Sequence, residues 1–319
     1  MATALARLAS PNLLEAFSKI EFAVLNTRLC NASAAAEGEG FSIILHGGLV
    51  KTMIFHLELA EICYRMGQVL GAKISPGETS TETGNALSVV AYASSCAMDH
   101  FAASGAPFPR LGKCLPIESK ERVLTSFVRA IWFILVHEVG HVQLGHHRRG
   151  ETAVPCRPTL AVAETINDFK AQEFEADSYV VDTLSAPERA FAVEYLLSPL
   201  DMFSVLELRL RNTNDTHPMA INRLSHMIDR VSSFADTGKL SLARETLQGL
   251  ASRARTSRKV STERVTQHAA IQAIATLVYL YVRALGPAIT APKGSHAELW
   301  DEIASHWFAE DVRNYSLLR

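Results

Sequence analysis

Paired cysteines are missing from this chain. The five cysteines, Cys30, Cys63, Cys96, Cys114 and Cys156, are scattered, odd in number and never spaced as C-x-x-C. That speaks against a disulfide framework and suits reduced thiols in a cytoplasm. Excess charge is missing as well. The 31 Lys and Arg against 33 Asp and Glu leave a net charge of −2, which gives no electrostatic reason to expect nucleic acid or an anionic membrane as partner. The N-terminal stretch MATALARLASPNLLEAF lacks a basic n-region and a sustained apolar core, so no secretion signal is expected. Without export, the formal glycosylation sequon Asn31-Ala32-Ser33 has no meaning. Long apolar runs are scarce. The strongest, Ala269 to Val282, is about 14 residues, broken by Gln272 and stopped by Arg283, which predicts a buried core helix and no membrane span. Repeats and low-complexity tracts are also absent.

What is present is ample core material: 319 residues, 48% of them apolar, enough for one or two domains. The periodicity predicts a mainly α fold that allows a small β-sheet (α+β). Helices are expected at Pro11–Leu29, Leu49–Leu70, Ala86–Ala103, Ser119–His147, Leu160–Leu184, Pro187–Arg211, Pro218–Phe234, Leu240–Ala254 and Ser261–Leu285. Gly-, Ser-, Thr- or Pro-rich punctuation falls at Glu37–Gly40, Gly71–Gly84 and Ser104–Pro116. Phe41–His46 and Arg110–Ile117 are the candidate strands, though neither alternates convincingly. The expected organisation is an N-terminal helical region over 1–118, a core over 119–235 and a C-terminal helical region over 236–319. The basic cluster Arg253, Arg255, Arg258, Lys259 reads as a solvated linker.

The most informative segment is His137-Glu138-Val139-Gly140-His141. On a helix, positions i and i+4 lie one above the other, so both imidazoles can reach one metal ion. Glu138 sits one step round, within reach of a water on that metal. This is the H-E-x-x-H arrangement of zinc peptidases, in which Zn2+ acidifies the water and the glutamate takes its proton. The run Val123–Val136 before it contains no Gly or Pro, and Ser119 is a candidate N-cap. His146, His147, Arg148 and Arg149 before Gly150 read as a basic last turn with a glycine C-cap. Satisfied core histidines are the bland alternative, but they leave Glu138 unexplained.

A third ligand stands downstream in Ala171-Gln-Glu-Phe-Glu-Ala-Asp177. Glu173 and Asp177 are four apart and share a helix face, while Glu175 points elsewhere. Two histidines and one carboxylate leave a fourth position open, as hydrolysis requires. Asp177, one turn along, can accept the free N–H of a ligand histidine and fix its tautomer. An acidic surface stripe is the alternative.

In these residues the chain resembles the gluzincin metallopeptidases of the HtpX and CAAX-prenyl-protease type. In that family the first glutamate of E-x-x-A-D is the third zinc ligand, which the resemblance carries onto Glu173, with the aspartate at Asp177. A Thr-His-Pro segment followed by a helix carrying an arginine is a further family feature; here it stands as Thr216-His217-Pro218 with Arg223. The resemblance covers roughly Ser119 to Arg230 and implies a zincin-like helical core. The membrane members of the family carry long transmembrane helices, and the interval from His141 to Glu173 is shorter here than that family leads one to expect. In these respects the chain is more similar to the Lit-type phage-exclusion peptidases and to the ImmA/IrrE-type regulators, although the latter are not expected to carry Thr-His-Pro.

A metzincin reading would make His147 the third ligand, but it needs a glycine at the position held by Leu144, with Gly145 one place late. His146 and His147 then read as helix-end residues or residues of the cleft rim. Pro218 at a first turn places His217 and Thr216 at the start of a helix, with Thr216 as its cap. From there His217 has either a catalytic part, stabilising the oxyanion or covering the zinc at rest, or a packing one. Arg223 is expected to pair with an acid on the Glu173 helix. Three functions follow. One is a zinc endopeptidase with His137, His141 and Glu173 on the metal, Glu138 as general base and a protein or peptide substrate in the cytoplasm. The second is a triggered effector or regulator protease cutting one host protein. The third is a non-catalytic zinc scaffold, which Glu138 argues against because a structural site needs a fourth ligand and no base.

Overall fold

The computed structural model describes residues 10–37, 40–71, 111–146, 160–207, 218–241 and 243–248. Among the described residues the chain is mainly helical with one small sheet, an α+β arrangement. It divides into two compact units, Met1–Val50 with Val128–Arg258, and Lys51–Phe127 with Lys259–Arg319. Two of the boundaries fall inside long helices. The expected helices Ala86–Ala103 and Ser261–Leu285, the apolar stretch Ala269–Val282 and the basic cluster Arg253–Lys259 lie outside the described residues.

The first unit opens with helix α1 (Pro11–Ser18), capped by Ser10, whose side chain accepts from the Leu13 N–H, with Pro11 at the first turn. The sequence pattern extends this helix to Leu29, but the chain leaves it at Lys19 and enters strand β1 (Ile20–Leu25). The reason is long-range pairing. β1 runs parallel to β3 (Gly40–His46), with Ile20 opposite Phe41 and Leu25 opposite His46. β2 (Ala32–Glu37) pairs antiparallel with β3, giving the order β1-β3-β2. Central β3 buries Ile43 and Leu45, whereas β1 buries only Ile20, as an edge does. Phe17 of α1 meets Phe22 and Trp132 edge to face, tying sheet to helix. β3 continues directly into helix α2 (Gly47–Gly71).

Helix α3 (Ile117–Gln143) carries the first motif. Its portion in the first unit buries Trp132, Phe133, Ile134, Val136, Val139 and Val142. Among the described residues it is the helix long and apolar enough to cross a membrane by length and composition, with 44% of its most apolar window buried inside the protein. A core helix meets the same criterion. Helix α4 (Leu160–Asp182) follows, then α5 (Ala186–Arg189) and α6 (Ala192–Glu207) where one helix over Pro187–Arg211 was expected. Glu194 at the start of α6 is gripped by Arg129 and Lys239, and Arg129 lies over the Tyr195 ring. Helix α7 (Ala220–Val231) buries Ala220, Arg223, Leu224, Met227, Ile228 and Val231, a 3.6-residue stripe packed on α6 and α4. Past it, residues 237–241 and 243–248 are helical.

In the second unit, Met53, Phe55, Leu57, Leu59, Ile62, Leu111 and Leu115 are buried. The candidate strand Arg110–Ile117 is instead a 3-10 turn, Leu111–Cys114, leading into α3. The Glu58 carboxylate accepts from the backbone N–H groups of Gly112 and Leu111, satisfying donors that such a turn leaves unpaired, and burial pushes its pKa up to about 7. Ser119 is not the N-cap of α3. It lies in the third position, buried, donating to Glu61, while Arg122 and Arg65 close the network.

Candidate metal centre

The last turns of α3 place Phe133, His137 and His141 on one face, four residues apart. For α4 to reach that face the helices must come close, and Gly140 permits it. A Cβ there would stand 3.3 Å from the Ala176 Cα and 3.3 Å from the Tyr179 side chain. Gly140→Val should therefore overpack the contact and cost about 1–3 kcal/mol, outweighing the roughly 0.5–1 kcal/mol a helical glycine forfeits. It should also lower metal uptake, because Glu173 rides on α4. A variant as stable in urea as the parent, with full metal content, would sink this account of Gly140.

On the facing helix Glu173 and Asp177 point the same way. The Glu173 carboxylate lies between the imidazoles, with Oε2 3.3 Å from His137 Nε2 and Oε1 3.4 Å from His141 Nε2. The two Nε2 atoms are 3.1 Å apart. One ligand atom from each of His137, His141 and Glu173 lies within 4.8 Å of the others, a group that could hold a metal ion. Two imidazole nitrogens and one carboxylate oxygen form a donor set that suits a borderline cation such as zinc. Glu138, half-buried, follows His137 and is turned by about 100° around the helix.

Behind His137 the charges are paired in a row. Its Nδ1 is 3.0 Å from Asp177 Oδ1. Arg223 grips Asp177 with both arms, Nε donating to Oδ2 at 2.8 Å and Nη2 to Oδ1 at 2.6 Å. Arg223 Nη1 also comes within 3.5 Å of Glu173, and Phe203 lies under the guanidinium. Asp177 is 0% and Arg223 6% exposed. Burial pulls the His137 pKa down, but hydrogen bonds and charge from Asp177 and Glu173 outweigh it and raise the value to about 9. Burial likewise opposes ionisation of Glu173 and Asp177. His137 with Arg223 holds the first, and chiefly Arg223 the second, well below the ordinary carboxylate range. Two carboxylates are thus buried against one guanidinium and an imidazole whose pKa they raise.

The other imidazole has a different backing. α3 ends at Gln143, Gly145 adopts a left-handed φ of 72°, and the chain turns back. That returns His146 to the centre. His146 Nδ1 is 2.8 Å from His141 Nδ1, and its Nε2 is 2.9 Å from Glu175 Oε2. The glycine that closes α3 is Gly145, and His146 is 4% exposed instead of sitting on a rim; Gly150 lies outside the described residues. Glu175, pointing away from the Glu173 face, joins the site through His146. The sequence missed this link; its signal was the glycine directly before His146. His147, Arg148 and Arg149, as well as Thr216 and His217, lie outside the described residues. α7 starts at Ala220, later than Pro218, and its first N–H is accepted by Glu207 Oε1 at 2.7 Å. Burial raises Glu207 to about 7.

A family model described as Peptidase U49 matches residues 78–243, just over half of the chain. No curated protein and no solved structure matches it.

Proposed function

The chain belongs to the Peptidase U49 family, and from that premise we propose that it is a zinc-dependent endopeptidase of gluzincin type. The observation that carries the reading is the convergence of His137, His141 and Glu173 on one point, with Glu138 adjacent. In this reading His137, His141 and Glu173 hold zinc. When bound there, zinc supplies a Lewis acid that acidifies water and polarises a peptide carbonyl. Glu138 accepts the proton of the attacking water and returns it to the leaving amine. Asp177 accepts the His137 Nδ1–H, which leaves the Nε2 lone pair facing the metal point, and Arg223 keeps Asp177 ionised. His217 keeps the oxyanion-stabilising part read from the sequence. The substrate is a protein or peptide, met in the cytoplasm. A purely structural zinc would require four protein ligands, and three converge among the described residues. A triggered protease of the same chemistry acting on one host protein is the alternative, and the identity of the substrate separates the two.

Elemental analysis of the purified protein should find about one zinc per chain. His137→Ala, His141→Ala and Glu173→Ala should each lose most of it, while His147→Ala keeps it. Full zinc in Glu173→Ala would defeat the ligand assignment.

A further inference from the structure

Resting on the zinc reading above, we propose that His146 and Glu175 are positioning residues that fix the proton of the ligand His141 on its Nδ1. Two imidazole nitrogens 2.8 Å apart need one donor and one acceptor. Which is which follows from the far side of His146. Its Nε2 lies 2.9 Å from Glu175 Oε2, and a carboxylate only accepts. A neutral His146 therefore carries its proton on Nε2, which leaves Nδ1 as the acceptor. His141 must then donate from Nδ1, and its Nε2 keeps a lone pair. That lone pair is the atom facing Glu173 and His137 Nε2. With the opposite polarity His141 would carry a hydrogen on Nε2 and could not ligate there.

The fold delivers this link by two local devices. The left-handed Gly145 swings His146 back against His141, with ring centroids 5.0 Å apart and planes at 69°. Helix α4 then supplies Glu175 two residues beyond the ligand Glu173. One helix thereby orients both histidines, His137 directly through Asp177 and His141 at one remove through His146. A mere clasp closing the end of α3 would use the same contacts without caring which nitrogen holds the proton.

The test uses the full chain. Zinc affinity is measured by chelator competition, and the His141 tautomer by nitrogen NMR of histidine-labelled protein before and after zinc. His146→Ala should weaken zinc by about 10–100-fold, the usual effect of losing such a partner. His146→Gln, whose amide oxygen can accept the Nδ1–H, should recover most of the loss. Glu175→Ala, at a half-exposed position that folding tolerates, should weaken zinc in the same direction and mix the His141 tautomers. Circular dichroism separates these effects from unfolding of His146→Ala. Parental zinc affinity in both alanine variants, or a His141 proton on Nε2 in the zinc-free parent, overturns the proposal. A parent that binds no zinc but shows the Nδ1 proton refutes the peptidase reading and leaves the relay standing.

Discussion

Glu138→Gln protein should fold, retain its zinc and cleave peptide bonds at least about 10²–10⁴-fold more slowly than the parent. The amide keeps size and hydrogen-bonding capacity but cannot take a proton, so the loss isolates base catalysis from metal binding. Glu138 follows His137 on α3 and is half-buried, so the exchange empties no core. A general casein assay would be uninformative if the enzyme cuts one folded target. The measurement is a comparison of new N-termini in a host proteome treated with parent or variant protein, across candidate hosts and triggers. Identical profiles would end the peptidase claim. A variant that lost its zinc would instead make Glu138 a ligand.

Arg223→Ala should cost about 3–5 kcal/mol, the range for removing one partner of a buried ion pair. The reasoning rests on Asp177, which has no exposed surface and takes two of its hydrogen bonds from this arginine. Without Arg223 the carboxylate keeps His137 but loses the charge that chiefly holds it ionised. Arg223→Lys should fall between, since one ammonium cannot reproduce the two-pronged grip. Urea unfolding of chelator-treated protein at constant m-value is the measurement. A loss under about 1 kcal/mol would mean that Asp177 is compensated by other groups, and the row of charges behind His137 would need redrawing.

Much of the centre was legible because its geometry is written in local spacing. His137 with His141, and Glu173 with Asp177, are both four apart on helices whose apolar runs lack Gly and Pro. Spacing alone cannot say what stands behind them. His146 reads as part of a basic last turn, because a glycine with positive φ one residue earlier is a backbone event with only a weak signal. Glu175 reads as a residue of the wrong face, which it is; it enters the site only because another imidazole reaches it. The sheet was harder still. Ile20–Leu25 continues an apolar helical pattern, and Ala32–Glu37 is rich in the best helix former. Both become strands because Phe41–His46 offers them a ladder, and no single window contains both partners.

The paired charges around His137 also bear on how the protein comes of age. In a zinc finger the ligands repel or lie unsatisfied until the ion arrives, so folding waits for metal. Here Arg223 already pairs with Asp177, and the same carboxylates raise the His137 pKa, which favours a protonated ring beside Glu173. On the zinc reading, the incoming ion would meet ligands already held by their partners and would displace the proton of His137. Metal supply would then set the onset of activity more than the integrity of the fold, which predicts similar urea unfolding for chelator-treated and zinc-loaded protein.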